Sequence, residues 1–193
     1  MAAAEQTLLD VRLPGNPPGW PDDPLGQAQF TPAGYLIQPR NPGQFVAIRA
    51  PVADSVRDLE LTGRFHKTGG PAGGGYGLIV RDKSPQPLDG RRQNGSFYVL
   101  EASDRGQIGI WRRDGDQWVE LFGWSTARAV RSGTEPNELS ASASGSELAF
   151  SVNGTPLVRV NDGALDSGGV GVFVGGDGNQ VLLERLTMHD LSH

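Results

Sequence analysis

The 193-residue sequence contains no cysteine. That absence excludes a disulfide framework, thiolate metal ligation and a cysteine nucleophile. A chain of this length buries enough surface to hold a core without covalent staples, so the missing cysteines leave the compartment open. Long apolar runs are missing too: no stretch approaches the ~20 residues that a membrane-spanning helix needs. The opening Met1-Ala2-Ala3-Ala4-Glu5-Gln6 lacks the basic start and apolar stretch of a secretory signal. It fits either a cytoplasmic protein or the mature part of an exported one. Positive charge is not in excess either. The formal net charge is −5, and the nearest candidates for a basic patch, Arg91-Arg92 and Arg112-Arg113, stand beside Asp89 and Asp114. Nucleic-acid binding requires a basic face able to displace counterions from phosphates, so that class of partner is not expected.

Helical signals are scarce. No amphipathic helix and no repeat of solenoid or propeller period is visible, and Pro51 to Arg57 has room for one helical turn at most. What is abundant is glycine (28) and proline (14). They break the chain about every ten residues into short β-branched and aromatic runs, the pattern of a many-stranded all-β fold. The expected strands are Thr7–Val11, Gln29–Phe30, Tyr35–Gln38, Phe45–Arg49, Asp58–His66, Tyr76–Arg81, Phe97–Ala102, Ile108–Arg112, Trp118–Phe122, Glu138–Ala143, Leu148–Val152, Leu157–Val160, Val170–Val174 and Val181–His189. In the fifth of these, Leu59, Leu61, Gly63 and Phe65 alternate with Glu60, Thr62 and Arg64, as in a strand with one face in a core.

Turn chemistry joins the strands. Asn153-Gly154 and Asp114-Gly115 each sit between two strand runs and suit type I′ hairpins, where both central residues need positive φ. Asp104-Arg105-Gly106 and Ser144-Gly145-Ser146 read as longer hairpins. Successive hairpins close into two packed antiparallel sheets, and residues 1–193 are expected to form one such domain. Three loops have the length and composition that binding loops often have: Pro14 to Gly26 with Trp20, Gly69 to Gly75, and Lys83 to Gly95.

The order Tyr76-Gly77-Leu78-Ile79-Val80-Arg81, Asn94-Gly95-Ser96-Phe97-Tyr98-Val99-Leu100-Glu101, Gly106-Gln107-Ile108, Trp118-Val119-Glu120-Leu121, Pro136-Asn137-Glu138-Leu139, Val152-Asn153-Gly154 and Gly169-Val170-Gly171-Val172-Phe173 carries a resemblance. It is similar to the concanavalin A-like lectin/glucanase superfamily, above all to its laminin G-like jelly rolls, over roughly residues 55–191. The resemblance implies a jelly-roll sandwich of two curved antiparallel sheets, a concave face that holds carbohydrate in many relatives, and an extracellular or cell-surface setting.

Catalysis finds little support. Retaining glucanases of the superfamily carry Glu-x-Asp-x-(x)-Glu on one strand, with two carboxyls about 5 Å apart. Here Asp58-Leu59-Glu60 is the nearest pair, and Glu101 is followed by Ala102, Ser103 and a turn aspartate, Asp104. The strand around Gly77-Leu78-Ile79-Val80-Arg81 is also similar to the 3-keto-disaccharide hydrolase-like family, but Gly75-Tyr76 stands where that family has an Asn-Ser pair. His66, His189 and His193 form no local metal motif, no serine sits in a Gly-x-Ser-x-Gly elbow, and Gly73-Gly74-Gly75 lacks the lysine of a phosphate loop.

A sugar is held by stacking its apolar face on an aromatic ring while polar side chains bond its hydroxyls. Period two places Gly77, Ile79 and Arg81 on one strand face, and Phe97, Val99 and Glu101 on one face of the next. Trp111 falls with Gly109 and Arg113. The expected ligand groove is therefore Arg81, Glu101 and Trp111, with Tyr76 as a fourth candidate. The structural alternative makes Arg81–Glu101 a cross-strand pair and Trp111 a sheet cover. Trp118 and Trp124 are expected to be packing residues. Asp162, Asp166 and Asp177 fall in loops that could hold calcium in some relatives, or else simply form turns. No metal ligand set is assigned. The expected function is a non-catalytic module for a glycan or similar polar ligand. The alternatives are a structural or protein-interaction subunit, whose partner is another protein subunit, and a keto-sugar hydrolase.

Overall fold

A computed structural model describes residues 5–192; Met1 to Ala4 and His193 lie outside the described residues. The described chain is all-β, with no α-helix. Its strands in chain order are β1 (Gln6–Arg12), β2 (Ala28–Thr31), β3 (Gly34–Ile37), β4 (Val46–Arg49), β5 (Leu59–Gly69), β6 (Gly75–Asp82) and β7 (Gly95–Ser103). The remainder are β8 (Gln107–Gly115), β9 (Gln117–Thr126), β10 (Asn137–Ser144), β11 (Glu147–Val152), β12 (Thr155–Asn161), β13 (Gly169–Gly175) and β14 (Gln180–Asp190). Every expected strand is present. The single helical turn is a 3-10 turn at Leu13–Gly15 rather than in the Pro51–Arg57 stretch. Among the described residues no helix is long and apolar enough to cross a membrane.

The strands form two antiparallel sheets. One runs β12-β11-β10-β5-β14-β3-β2, with β1 paired to β14, and the other runs β4-β13-β6-β7-β8-β9. Alternation sends Leu59, Leu61 and Phe65 of β5 inward, where they meet Tyr76, Leu78 and Val80 of β6 and Tyr98 and Leu100 of β7. Pro156 is accommodated because β12 is a sheet edge, where a missing N–H costs no ladder bond.

The six-stranded sheet differs from its partner in that its strands β13, β6 and β7 are covered on both faces. Every residue of β6 is buried, and its run Gly75 to Asp82 lacks the polar alternation of a half-exposed strand. Its outer face carries a second apolar cluster of Phe45, Ala47, Ile79, Leu88, Phe97, Val99 and Phe173. The Lys83–Gly95 loop supplies Leu88 and adds to the β4 edge: Arg49 N donates to Leu88 O (2.9 Å) and Gly90 N to Ala47 O (2.9 Å).

The two expected I′ turns come out differently. Asn153 and Gly154 both have positive φ (51° and 79°) and close the β11–β12 hairpin as a two-residue I′ loop. In the β8–β9 hairpin Asp114 pairs with Gln117, so the central residues are Gly115 and Asp116. Only Gly115 is at positive φ (62°). That arrangement belongs to a II′ turn, in which glycine takes the first central place.

Candidate functional site

The outer face of the six-stranded sheet can be followed rung by rung. Phe173 of β13 lies opposite Gly77 of β6, Gly77 opposite Glu101 of β7, and Glu101 opposite Gly109 of β8. Glu101 therefore stands between two glycines and has room to lie along the sheet. Its carboxyl extends over Gly75, where an added Cβ would come within 2.5 Å of Oε2. On the other side Trp111 folds back over Gly109: a Cβ there would stand 2.9 Å from the indole Nε1. The glycines of β6 and β8 thus clear a floor on which one carboxyl and one indole meet.

Walls rise around that floor to form a cleft of about 430 Å³. Trp124 stands 6.0 Å from Trp111, ring centre to ring centre. Trp118 forms a further wall against Phe45 (5.4 Å), Phe173 (5.8 Å) and Phe97 (6.1 Å). Arg113 holds it from above: its guanidinium lies 4.8 Å from the Trp118 ring and 5.3 Å from Phe45, and its N–H groups donate to Gln93 O. Gly73 and Asp177 complete the rim. The Gly73 segment is pinned, since Gly73 N donates to Asp104 Oδ1 (2.8 Å) while Lys67 Nζ binds both Asp104 and Pro71 O. Asp177 is fixed by the N–H of Gly43 (2.8 Å).

Glu101 is 6% exposed, and among the described residues it makes no ion pair. Burial dominates and pushes its pKa up to about 8, because desolvation penalises the charged form. The Trp111 N–H works in the opposite direction and favours the carboxylate. It acts as a nearby dipole, because Nε1 is buried with no hydrogen bond of normal geometry. A buried N–H without an acceptor is uncommon in a settled core.

The structure does not bring Arg81 and Tyr76 to this cleft. Two residues of β6, Val80 and Arg81, oppose one of β13, Val170, and Arg81 takes φ 52°. Glu101 stands opposite Gly77, so Arg81 is already about 13 Å further along the strand, and the bulge then turns the arginine side chain off the outer face. Its N–H groups instead donate to Arg57 O (3.0 and 3.1 Å), Leu165 O (3.0 Å) and Gly145 O (2.6 Å), with Asp58 at 3.5 Å. The expected Arg81–Glu101 juxtaposition is therefore not formed. Tyr76 has the parity opposite to Gly77 and points between the sheets, stacked on Phe65 with its hydroxyl accepting from Asn137 Nδ2 (2.7 Å). Glu101 and Trp111 are brought together.

Trp118 and Trp124, expected to be packing residues, line the cleft and are each 41% exposed. Trp118 pairs with Arg113 in the regular part of the β8–β9 ladder, on the face that Trp111 shares, while Trp124 lies in the stretch where the register shifts and stands beside Trp111. The available signal was the glycine set at 75, 77 and 109, which marks a strand face that must stay clear. Two of the loop aspartates are taken up by basic groups: Asp162 by Arg112 and by the Tyr98 hydroxyl (2.6 Å), Asp166 by Lys83 and Arg57. Those partners hold the Asp166 carboxyl well below the usual carboxylate range. Among the described residues no group of three or more acids and histidines converges as a metal site would require.

No protein-family model matches the sequence, and no curated protein does. Solved structures match the fold. A carbohydrate-binding module, CBM66 from Bacillus subtilis, is similar over 84% of this chain and 91% of its own, with TM-score 0.67 and 13% identity. The exoplasmic/lumenal domain of VIP36, solved with Ca2+ and Man3GlcNAc bound, is similar over 99% and 92%, with TM-score 0.69 and 16% identity. Sheep galectin-11, in complex with glycerol, is similar over 78% and 98%, with TM-score 0.51 and 14% identity. The chain has the concanavalin A-like jelly-roll fold of these lectins and binding modules.

Proposed function

We propose that this chain is a single non-catalytic binding module that holds a glycan in the cleft over Glu101. The observation that carries this reading is a glycine-floored cleft in which tryptophan faces surround a buried carboxyl and an unpaired indole N–H. Sugar rings offer apolar C–H faces for the tryptophans, and sugar hydroxyls would bond Glu101 and Gln44. The solved structures named above include a carbohydrate-binding module and a lectin domain with an oligosaccharide bound, which supports the same class of ligand.

The surroundings of Glu101 support binding over hydrolysis. Its neighbours on β7 are Val99 and Ser103, and those across the strands are Gly77 and Gly109. None supplies the second carboxyl that a retaining glycosidase holds about 5 Å away.

The test is a glycan array screened with and without calcium, followed by Trp111→Ala on any hit. The variant is expected to lose about 2 kcal/mol of binding, roughly thirtyfold in affinity, while its melting transition stays close to that of the parent. Unchanged affinity in the variant would remove Trp111 from the site. A blank array with folded protein would favour an assembly role instead.

A further inference from the structure

Three acidic side chains are buried in the described chain: Asp82, Asp104 and Glu101. Asp82 pairs with Arg49 (2.6 Å) and Asp104 with Lys67. Glu101 has no cationic partner among the described residues, although it alone of the three faces an open cleft. Two acids, Glu101 and Asp177, line that cleft, and no lysine or arginine does. The nearby guanidinium groups do not neutralise Glu101. That of Arg113 is committed to Gln93 O, Phe45 and Trp118, and that of Arg105 stands beside Gly73 at the rim. Glu120, opposite Trp111 on β9, adds a further negative charge.

A carboxyl without a counterion, set beside tryptophan rings whose faces are electron-rich, is a receptor for a cation. Taking the cleft as the saccharide site proposed above, we infer that it selects sugars bearing a primary ammonium group, as in glucosamine oligosaccharides. The ammonium sits against Glu101, on the cleft side of the Trp111–Trp124 pair. Its three N–H donors satisfy the carboxylate and its charge meets the ring faces, while the sugar ring extends along Trp118. The nearby Trp111 N–H dipole also favours the ionised form, though burial outweighs it until the cation arrives. Glu101 carries its proton before binding and gives it up when the ammonium arrives, so the complex forms with release of a proton to solvent.

The test is titration calorimetry at about pH 5.5, where the free amine sugar is already an ammonium and takes up no proton on binding, in two buffers of different ionisation enthalpy. The probes are the glucosamine trisaccharide, the N-acetylglucosamine trisaccharide and the neutral glucose trisaccharide. The amine sugar is expected to bind roughly tenfold or more tighter than the other two, with release approaching one proton per ligand. Glu101→Gln abolishes both the preference and the proton release. Equal affinities without proton release would overturn the ammonium preference and leave the saccharide site standing. Binding to none of the three by protein with an intact melting transition would also overturn it, and a neutral-glycan hit on the array would then uphold the site alone.

Discussion

Arg81 and Glu101 occupy neighbouring strands of one sheet, both are buried, and they are served in opposite ways. Five contacts surround the Arg81 guanidinium, four of them with backbone carbonyls of three separate loops and one with Asp58. Around Glu101 the strands provide glycine, and a single indole N–H leans toward it without a formed hydrogen bond. Burying a charge is tolerable when every donor or acceptor finds a partner and expensive when it does not. Arg81 is a rivet that fastens the segments at Arg57, Gly145 and Leu165. Glu101 is an unmet demand at the bottom of a cleft.

The contrast breaks most visibly at Arg81. Arg81→Leu strands the Arg57, Gly145 and Leu165 carbonyls and is expected to cost about 3–5 kcal/mol in urea unfolding, with little dependence on pH. A loss below about 1 kcal/mol would mean the guanidinium fastens nothing. Glu101→Gln acts in the other direction and depends on pH. A carboxyl whose folded pKa is raised to about 8 keeps its proton in the native state while the unfolded chain ionises near 4.5. Parent stability therefore declines as pH rises between those values and levels off above them. The glutamine variant lacks that decline. It is expected to exceed the parent at pH 9 by on the order of 2 kcal/mol, since water in the cleft moderates the penalty, and to converge on it below about pH 4.5. Parallel stability curves would show that Glu101 is already partnered.

The same pair of residues explains what could be read without coordinates. Strand positions and the Asn153-Gly154 turn were legible because alternation and turn chemistry are local. Facing residues on adjacent strands were legible only where the register is regular: Glu101 and Trp111 follow period two and do converge. Arg81 does not: Glu101 stands opposite Gly77, four residues back along β6, and the bulge at Val80–Arg81 further turns the arginine off that face. Trp124 was hidden because the β8–β9 register shifts twice within the ladder, whereas Trp118 sits in its regular part, opposite Arg113, and needed only that pairing to be placed. Tyr76 shows a different limit: its parity already set it opposite Gly77, and the packed core between the sheets is where an aromatic of that parity must go. The glycines at 77 and 109 become informative only once they are known to flank Glu101 on adjacent strands.

The four tryptophans give the most direct test, because three line the cleft and the fourth, Trp20, packs on Tyr35 (5.4 Å) away from it. Indole N–H resonances followed during titration with a bound saccharide should move for Trp111, Trp118 and Trp124 and stay fixed for Trp20. Shifts confined to Trp20, or saturable binding that leaves all three cleft indoles unmoved, would contradict a glycan site over Glu101.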